Sequence, residues 1–141
     1  MCTFCAIAKG EVAARIVFED DFSLAFLDHR PLFKGHCLLI PKEHHATLGD
    51  LPHELIEPFF SAAQLLARAV QSAMDATGSF VAVNNVVSQS VPHLHVHIVP
   101  RRPKDGLRGF FWPRTRYESE EEMDIVGTAI ETAVAEFEAG S

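Results

Sequence analysis

His93-Leu94-His95-Val96-His97-Ile98-Val99 alternates imidazole and aliphatic side chains. Successive side chains of a β-strand point to opposite faces. The stretch therefore reads as a strand sending Leu94, Val96 and Ile98 into a core, with His93, His95 and His97 on the reverse face. The rise per residue puts neighbouring imidazoles roughly 6.5–7 Å apart. Three imidazoles are a costly filling for a core, because each ring needs partners for two nitrogens. Three readings follow. One is a solvated polar face, which strict period two on an otherwise aliphatic strand disfavours. Another is a metal site, since His-x-His offers two ligands from one face. The third is phosphoryl chemistry, in which a neutral imidazole attacks phosphorus while a protonated neighbour neutralises phosphate oxygens.

Outward from this strand, Arg15–Glu19 and Phe22–Asp28 read as a hairpin around Asp20-Asp21, and His36–Ile40 as a strand stopped by Pro41. Leu55, Phe59, Ala62, Leu66 and Val70 recur at helical spacing and predict a long helix over Leu51–Ala76. Pro52 suits its first turn, Pro58 predicts a kink or a two-part helix, and Gly78 reads as its C-terminal cap. Phe80–Asn84 is a further strand and Asn85–Pro92 a loop. Pro103–Arg116 reads as an ordered surface loop, with Phe110, Phe111 and Trp112 packing on a dimer mate or covering a pocket. Ser119 and Glu122 form a capping-box signature for a last helix, with Met123, Val126, Ile130, Val134 and Phe137 on one face and Gly140 at its end. Strands mostly lacking crossover helices predict an antiparallel α+β sheet with its helices on one side. The expectation is a single domain over 1–141, with a core of about 2–101 and a C-terminal loop and helix over 102–139.

The 141 residues are 48% hydrophobic and 22% charged, an ordinary globular composition. Twelve basic against nineteen acidic residues give a net charge of −7, which excludes a global basic footprint for duplex nucleic acid. Arg101, Arg102, Lys104, Arg108, Arg114 and Arg116 nevertheless put local positive charge after the histidine strand, suited to polyphosphate tails. No apolar run is long enough for a membrane span, and the N-terminus lacks a signal-peptide core, so a cytoplasmic location is expected. Cys2, Cys5 and Cys37 are a poor disulfide framework. Cys37, within an apolar run, reads as a small core residue, and Cys2-x-x-Cys5 as a redox motif or half of a metal site. A closed tetrahedral zinc site needs two more ligands, for which His44 or His45 and one end of the histidine strand are candidates.

With these pieces in order, the chain resembles the histidine-triad nucleotide-binding proteins, the HIT family. The resemblance runs from Cys2 to Arg101 through Cys2-Thr3-Phe4-Cys5, Gly10-Glu11, Phe18-Glu19-Asp20-Asp21, Ala25-Phe26-Leu27-Asp28, Gly35-His36, Ile40-Pro41-Lys42-Glu43-His44, Gln89-Ser90-Val91 and His93-x-His95-x-His97. It implies an α+β fold on a five-stranded antiparallel sheet with a long central helix and a C-terminal helix, usually homodimeric. The implied activity is nucleotidyl transfer or hydrolysis at an α-phosphorus. Its substrates would be nucleoside phosphoramidates, dinucleoside polyphosphates or similar conjugates. By the resemblance His95 is the nucleophile, His97 and His36 contact the phosphate side, and Gln89 and Ser90 the phosphate and leaving group. Asp28 would bind ribose, Phe4, Ile7, Phe26 and His29 would form the base pocket, and Asn84 would lie on the phosphate side. Zinc-containing members would place a structural zinc on Cys2, Cys5, His44 and His93. A non-catalytic nucleotide-binding or sensing protein and a metal-dependent hydrolase using the triad as ligands are the alternatives. The chain departs from the family pattern at Asn85-Val86-Val87-Ser88, where members often carry glycine, and at His29, where an aliphatic residue is common.

Overall fold

The computed structural model describes residues 2–108 and 113–140. The aromatic cluster Phe110, Phe111 and Trp112 lies outside the described residues. The chain divides into two compact units, one ending at Asp105 and one beginning at Gly106.

The first unit runs α1 (Thr3–Ala8), β1 (Ile16–Glu19), β2 (Ser23–Leu27), β3 (Cys37–Pro41), α2 (His53–Ala73), β4 (Gly78–Val83) and β5 (Val96–Arg101). The strands form one antiparallel sheet in the order β1-β2-β3-β5-β4. The expected hairpin is present, its turn closed by the Asp20 carboxylate, which accepts from the Phe22 and Ser23 N–H groups at 2.9 and 2.7 Å. Leu94, Val96 and Ile98 enter one core with Ala25, Cys37 and Leu39, beneath Leu55, Phe59, Leu66 and Val70 of α2. Burying each of these four large helix side chains contributes roughly 1.5–3 kcal/mol.

The opposite face carries a second core of Leu24, Phe26, Leu38 and Ile40, closed by Phe4 and Ile7 of α1. Helices therefore cover both sides of the sheet, not one side as expected. The apolar pair Phe4 and Ile7, three residues apart, packs this six-residue helix against the sheet.

Several boundaries differ from the sequence reading, and β3 includes Pro41 instead of stopping before it. α2 is one continuous helix through Pro58, whose missing N–H would have met only the carbonyl of exposed Glu54 in the first turn. It ends at Ala73, so Gly78 opens β4 instead of capping α2. β5 passes through Pro100, because β3 pairs no further than Cys37 with Ile98 and leaves that side without a ladder to break. Its regular ladder starts at Val96, and His93–His95 precede it, tied instead by the Leu94 N–H to the His45 carbonyl at 2.7 Å.

The second unit holds α3 (Glu120–Ala139). Ser119 Oγ accepts from the Glu122 N–H at 3.1 Å, as a capping box requires. The Glu122 carboxylate reaches the Glu118 N–H at 2.9 Å, one residue earlier than the reciprocal bond of the ideal motif. Glu120, Glu121 and Glu122 place negative charge in the first turn, where it favours the helix.

Candidate active site

The histidine face is interior. His93 is 0% and His95 3% exposed, which removes the solvated-face reading. His95 Nδ1 lies 2.8 Å from the His93 carbonyl oxygen, so Nδ1 must carry the proton and donate it. In the neutral ring this leaves the lone pair on Nε2, the form a nucleophile needs. The His95 and His97 ring centroids stand 5.0 Å apart, closer than strand spacing alone would give, because the rings lean together.

A second chain of bonds sets the other tautomers. The Leu32 N–H donates to His36 Nδ1 at 3.1 Å, leaving the His36 proton on Nε2. That group donates to His97 Nδ1 at 3.0 Å, which leaves the His97 proton on its own Nε2. Gly35, at φ +98, delivers His36 here. A Cβ at that position would stand 2.6 Å from Met74 Cγ, so glycine is required for space as well as conformation. Burial pushes His97 from 6.5 down to about 4, reinforced by His95 and His36 and opposed by Asp28. Burial lowers His36 too, with the Asp28 carboxylate 3.8 Å away opposing. The expected protonated neighbour thus becomes a pair of neutral N–H donors in the free protein, because desolvation outweighs one carboxylate.

Two clusters have the composition of metal sites: Cys2, Cys5, His44 and His93, and Asp28, His36 and His97. Their chemistry separates them. His93 Nε2 donates to the Pro41 carbonyl at 2.8 Å, so its Nδ1 lone pair is free and lies 3.5 Å from both cysteine sulfurs. Cys5 Sγ is 3.2 Å from His44 Nδ1. A tetrahedral zinc would set sulfur and nitrogen about 3.5 Å apart, so this donor set fits. Burial also lowers His93, keeping it in the neutral form a ligand needs. In the second cluster, coordination by His36 Nε2 would move a proton to Nδ1, facing the Leu32 N–H donor. That cluster therefore does not fit a metal.

A cavity of about 360 Å³ opens among Ile7, Ala13, Ala14, Arg15, Phe26, Leu27, Asp28 and His29. The volume is within the range of small-molecule sites. Ile7, Phe26, Asp28 and His29 thus come together as expected. Phe4 packs behind Phe26 instead, with ring centroids 5.4 Å apart. Arg15 at the rim escaped the sequence reading. As the residue opening an ordinary strand it carries no local signal. Among the positive residues after the triad, Arg101 is held by Asp105, Nε to Oδ2 at 2.6 Å.

The loop after β4 is less committed to the histidines. Gln89 Nε2 donates to the Ala46 carbonyl at 2.6 Å, and its Oε1 accepts from the Val86 N–H at 3.0 Å. Asn84 and Ser90 are exposed, and among the described residues neither hydrogen-bonds the histidines through its side chain. The glycine-free stretch takes the positive φ that glycine would favour, +67 at Val86 and +62 at Ser88. A β-branched residue there is strained by about 1–3 kcal/mol. Val86→Gly should therefore raise stability by about 1 kcal/mol, read as a higher urea midpoint; an unchanged or lower midpoint would refute the strain.

The HIT domain family matches residues 9–104. An adenosine 5'-monophosphoramidase of Schizosaccharomyces pombe is 36% identical over 135 residues, covering 94% of this chain and 98% of that protein. A HIT family member from Bacillus subtilis superimposes with a TM-score of 0.84 at 34% identity, over 93% of this chain and 95% of that one. A zinc-bound histidine triad family protein from Mycobacterium smegmatis gives 0.71 at 35% identity, over 99% and 97% respectively. Matched by the family over residues 9–104 and by relatives that cover more than nine-tenths of its length, the chain belongs to the HIT family.

Proposed function

We propose that this protein is a nucleotidyl hydrolase or transferase acting at the α-phosphate of a nucleoside phosphoramidate, dinucleoside polyphosphate or similar conjugate. One observation carries the reading: the His95 Nδ1 bond to the His93 carbonyl, which aims a free Nε2 lone pair away from the backbone. Nε2 attacks the α-phosphorus, the bond to the leaving group breaks, and a nucleotidyl-histidine forms. Water then attacks the same phosphorus, freeing the nucleotide and restoring His95. The neutral His97 Nε2–H, oriented by His36, donates to a phosphate oxygen or to the departing group. Asp28, at the cavity, accepts from the ribose hydroxyls, and Ile7, Phe26 and His29 hold the base. The S. pombe relative's monophosphoramidase activity supports this class of substrate.

A structural zinc on Cys2, Cys5, His44 and His93 accompanies this reading, supported by the donor geometry and by the zinc-bound M. smegmatis relative. When bound it supplies a tetrahedral cross-link. All three cysteines are free thiols, in keeping with a reducing cytoplasm. No helix among the described residues is long and apolar enough to cross a membrane. A homodimer is part of the proposal: β4 is an edge strand, with Val81 on it and Ile56 and Phe60 of α2 exposed.

The test is an acid-free quench during turnover of an adenosine phosphoramidate, followed by intact and peptide mass spectrometry. The expected result is one nucleotidyl group on His95. Turnover with no adduct under single-turnover conditions would overturn the covalent step. Gln89 favours a second reading, a nucleotide-binding protein without turnover, since its amide is already spent on Ala46 and Val86. Tight nucleotide binding with no hydrolysis of phosphoramidates, dinucleoside polyphosphates or similar conjugates would select it.

A further inference from the structure

Phe4 lies between the two cysteines in sequence and between the metal cluster and the nucleophile in space. Its ring meets His95 edge-on, with centroids 5.1 Å apart and planes at 89°, and touches His93 at 6.0 Å and Phe26 at 5.4 Å. α1, which carries it, has six residues, too few to hold a helix unaided. Its anchors are the packing of Phe4 and Ile7 and the approach of Cys2 and Cys5 to His93 and His44.

Two routes lead from the cluster to His95. One is the His93 backbone, whose carbonyl takes the His95 proton. That route does not depend on the cluster being filled. The His93 ring is tied to the Pro41 carbonyl at 2.8 Å, its N–H to the Val91 carbonyl at 2.8 Å, and the next N–H to His45. The other route is Phe4, whose helix has no such bonds to the sheet beyond the cysteines among those described.

We propose that Phe4 is a positioning residue that couples metal occupancy of the Cys2, Cys5, His44 and His93 cluster to the orientation of the His95 ring. The proposal rests on His95 being the nucleophile. A filled cluster pins α1, and Phe4 then blocks rotation of the His95 ring away from the rotamer that aims Nε2 at phosphorus. An emptied cluster releases α1, and the ring gains freedom although its backbone has not moved.

The test compares wild type, Phe4→Leu and Phe4→Ala, each zinc-loaded and chelator-stripped. The readouts are bound zinc, the His95 imidazole NMR signals and single-turnover rates on the phosphoramidate. In wild type, stripping should broaden or shift the His95 signals and lower kcat about tenfold or more, with KM changing less. Phe4→Ala should do the same while still holding one zinc, and stripping it should add little, because the two changes break one linkage. Phe4→Leu should recover part of the loss. Unchanged His95 signals in stripped wild type, or in zinc-loaded Phe4→Ala, would overturn the proposal, as would additive losses. Should zinc-loaded wild type turn over nothing, the nucleophile reading fails, and the NMR comparison still decides the coupling.

Discussion

His95→Ala is expected to lower kcat by about 10,000-fold or more, while changing nucleotide affinity only a few-fold. The size follows from what is removed. Losing a covalent nucleophile costs about 10⁴–10⁶ in kcat, and surrounding groups still provide binding and charge stabilisation. The affinity survives because the cavity beside Asp28 is lined by Ile7, Phe26 and His29, none of which depends on the imidazole. His97→Gln, which removes an N–H donor and not the nucleophile, should cost about 100-fold. Single-turnover rates and equilibrium titration with a non-hydrolysable analogue measure the two quantities separately. Equal kcat for His95→Ala and wild type would end the covalent assignment, and a large loss of affinity would mean that the ring binds more than it reacts.

Acid is expected to unfold the protein earlier than its carboxylates alone would dictate. The unfolded chain protonates a histidine near 6.5, whereas folded His97 resists until about 4. Between those values the unfolded state holds more protons, so stability rises with pH and falls as pH drops through this window. At about 1.4 kcal/mol per pH unit, the gap amounts to about 3 kcal/mol lost on going from pH 7 to pH 4. His36, lowered by the same burial, adds in the same direction. Urea unfolding of chelator-stripped protein at pH 7 and at pH 4 measures the difference without adding release of a metal from its protonated ligands. His97→Gln should be less sensitive over that interval by about 3 kcal/mol, and an identical pH dependence in the variant would refute the assignment.

Much of the fold was readable from local pattern. The alternation from His93 to Val99 predicted which side chains enter the α2 core, and Leu94, Val96 and Ile98 do so. The spacing of Leu55, Phe59, Ala62, Leu66 and Val70 predicted the buried face of α2, and all five are buried. These patterns survive because a strand's period of two and a helix's of 3.6 are properties of the backbone. Boundaries were less legible. Gly78 and Pro100 behave as they do because of neighbouring strands, and α1 was too short to show a period.

The chain's own order of residues, then, determined that three imidazoles would share one face and that two cysteines would stand three residues apart. Both follow from spacing along a single segment. Only the tertiary structure decided what each ring nitrogen does. The proton on His36 is placed by Leu32, that on His93 by Pro41, and that on His97 by His36, sixty-one residues away. A tautomer is set by the hydrogen-bond partner that meets it, and the decisive partners of His93 and His97 arrive from other strands and loops.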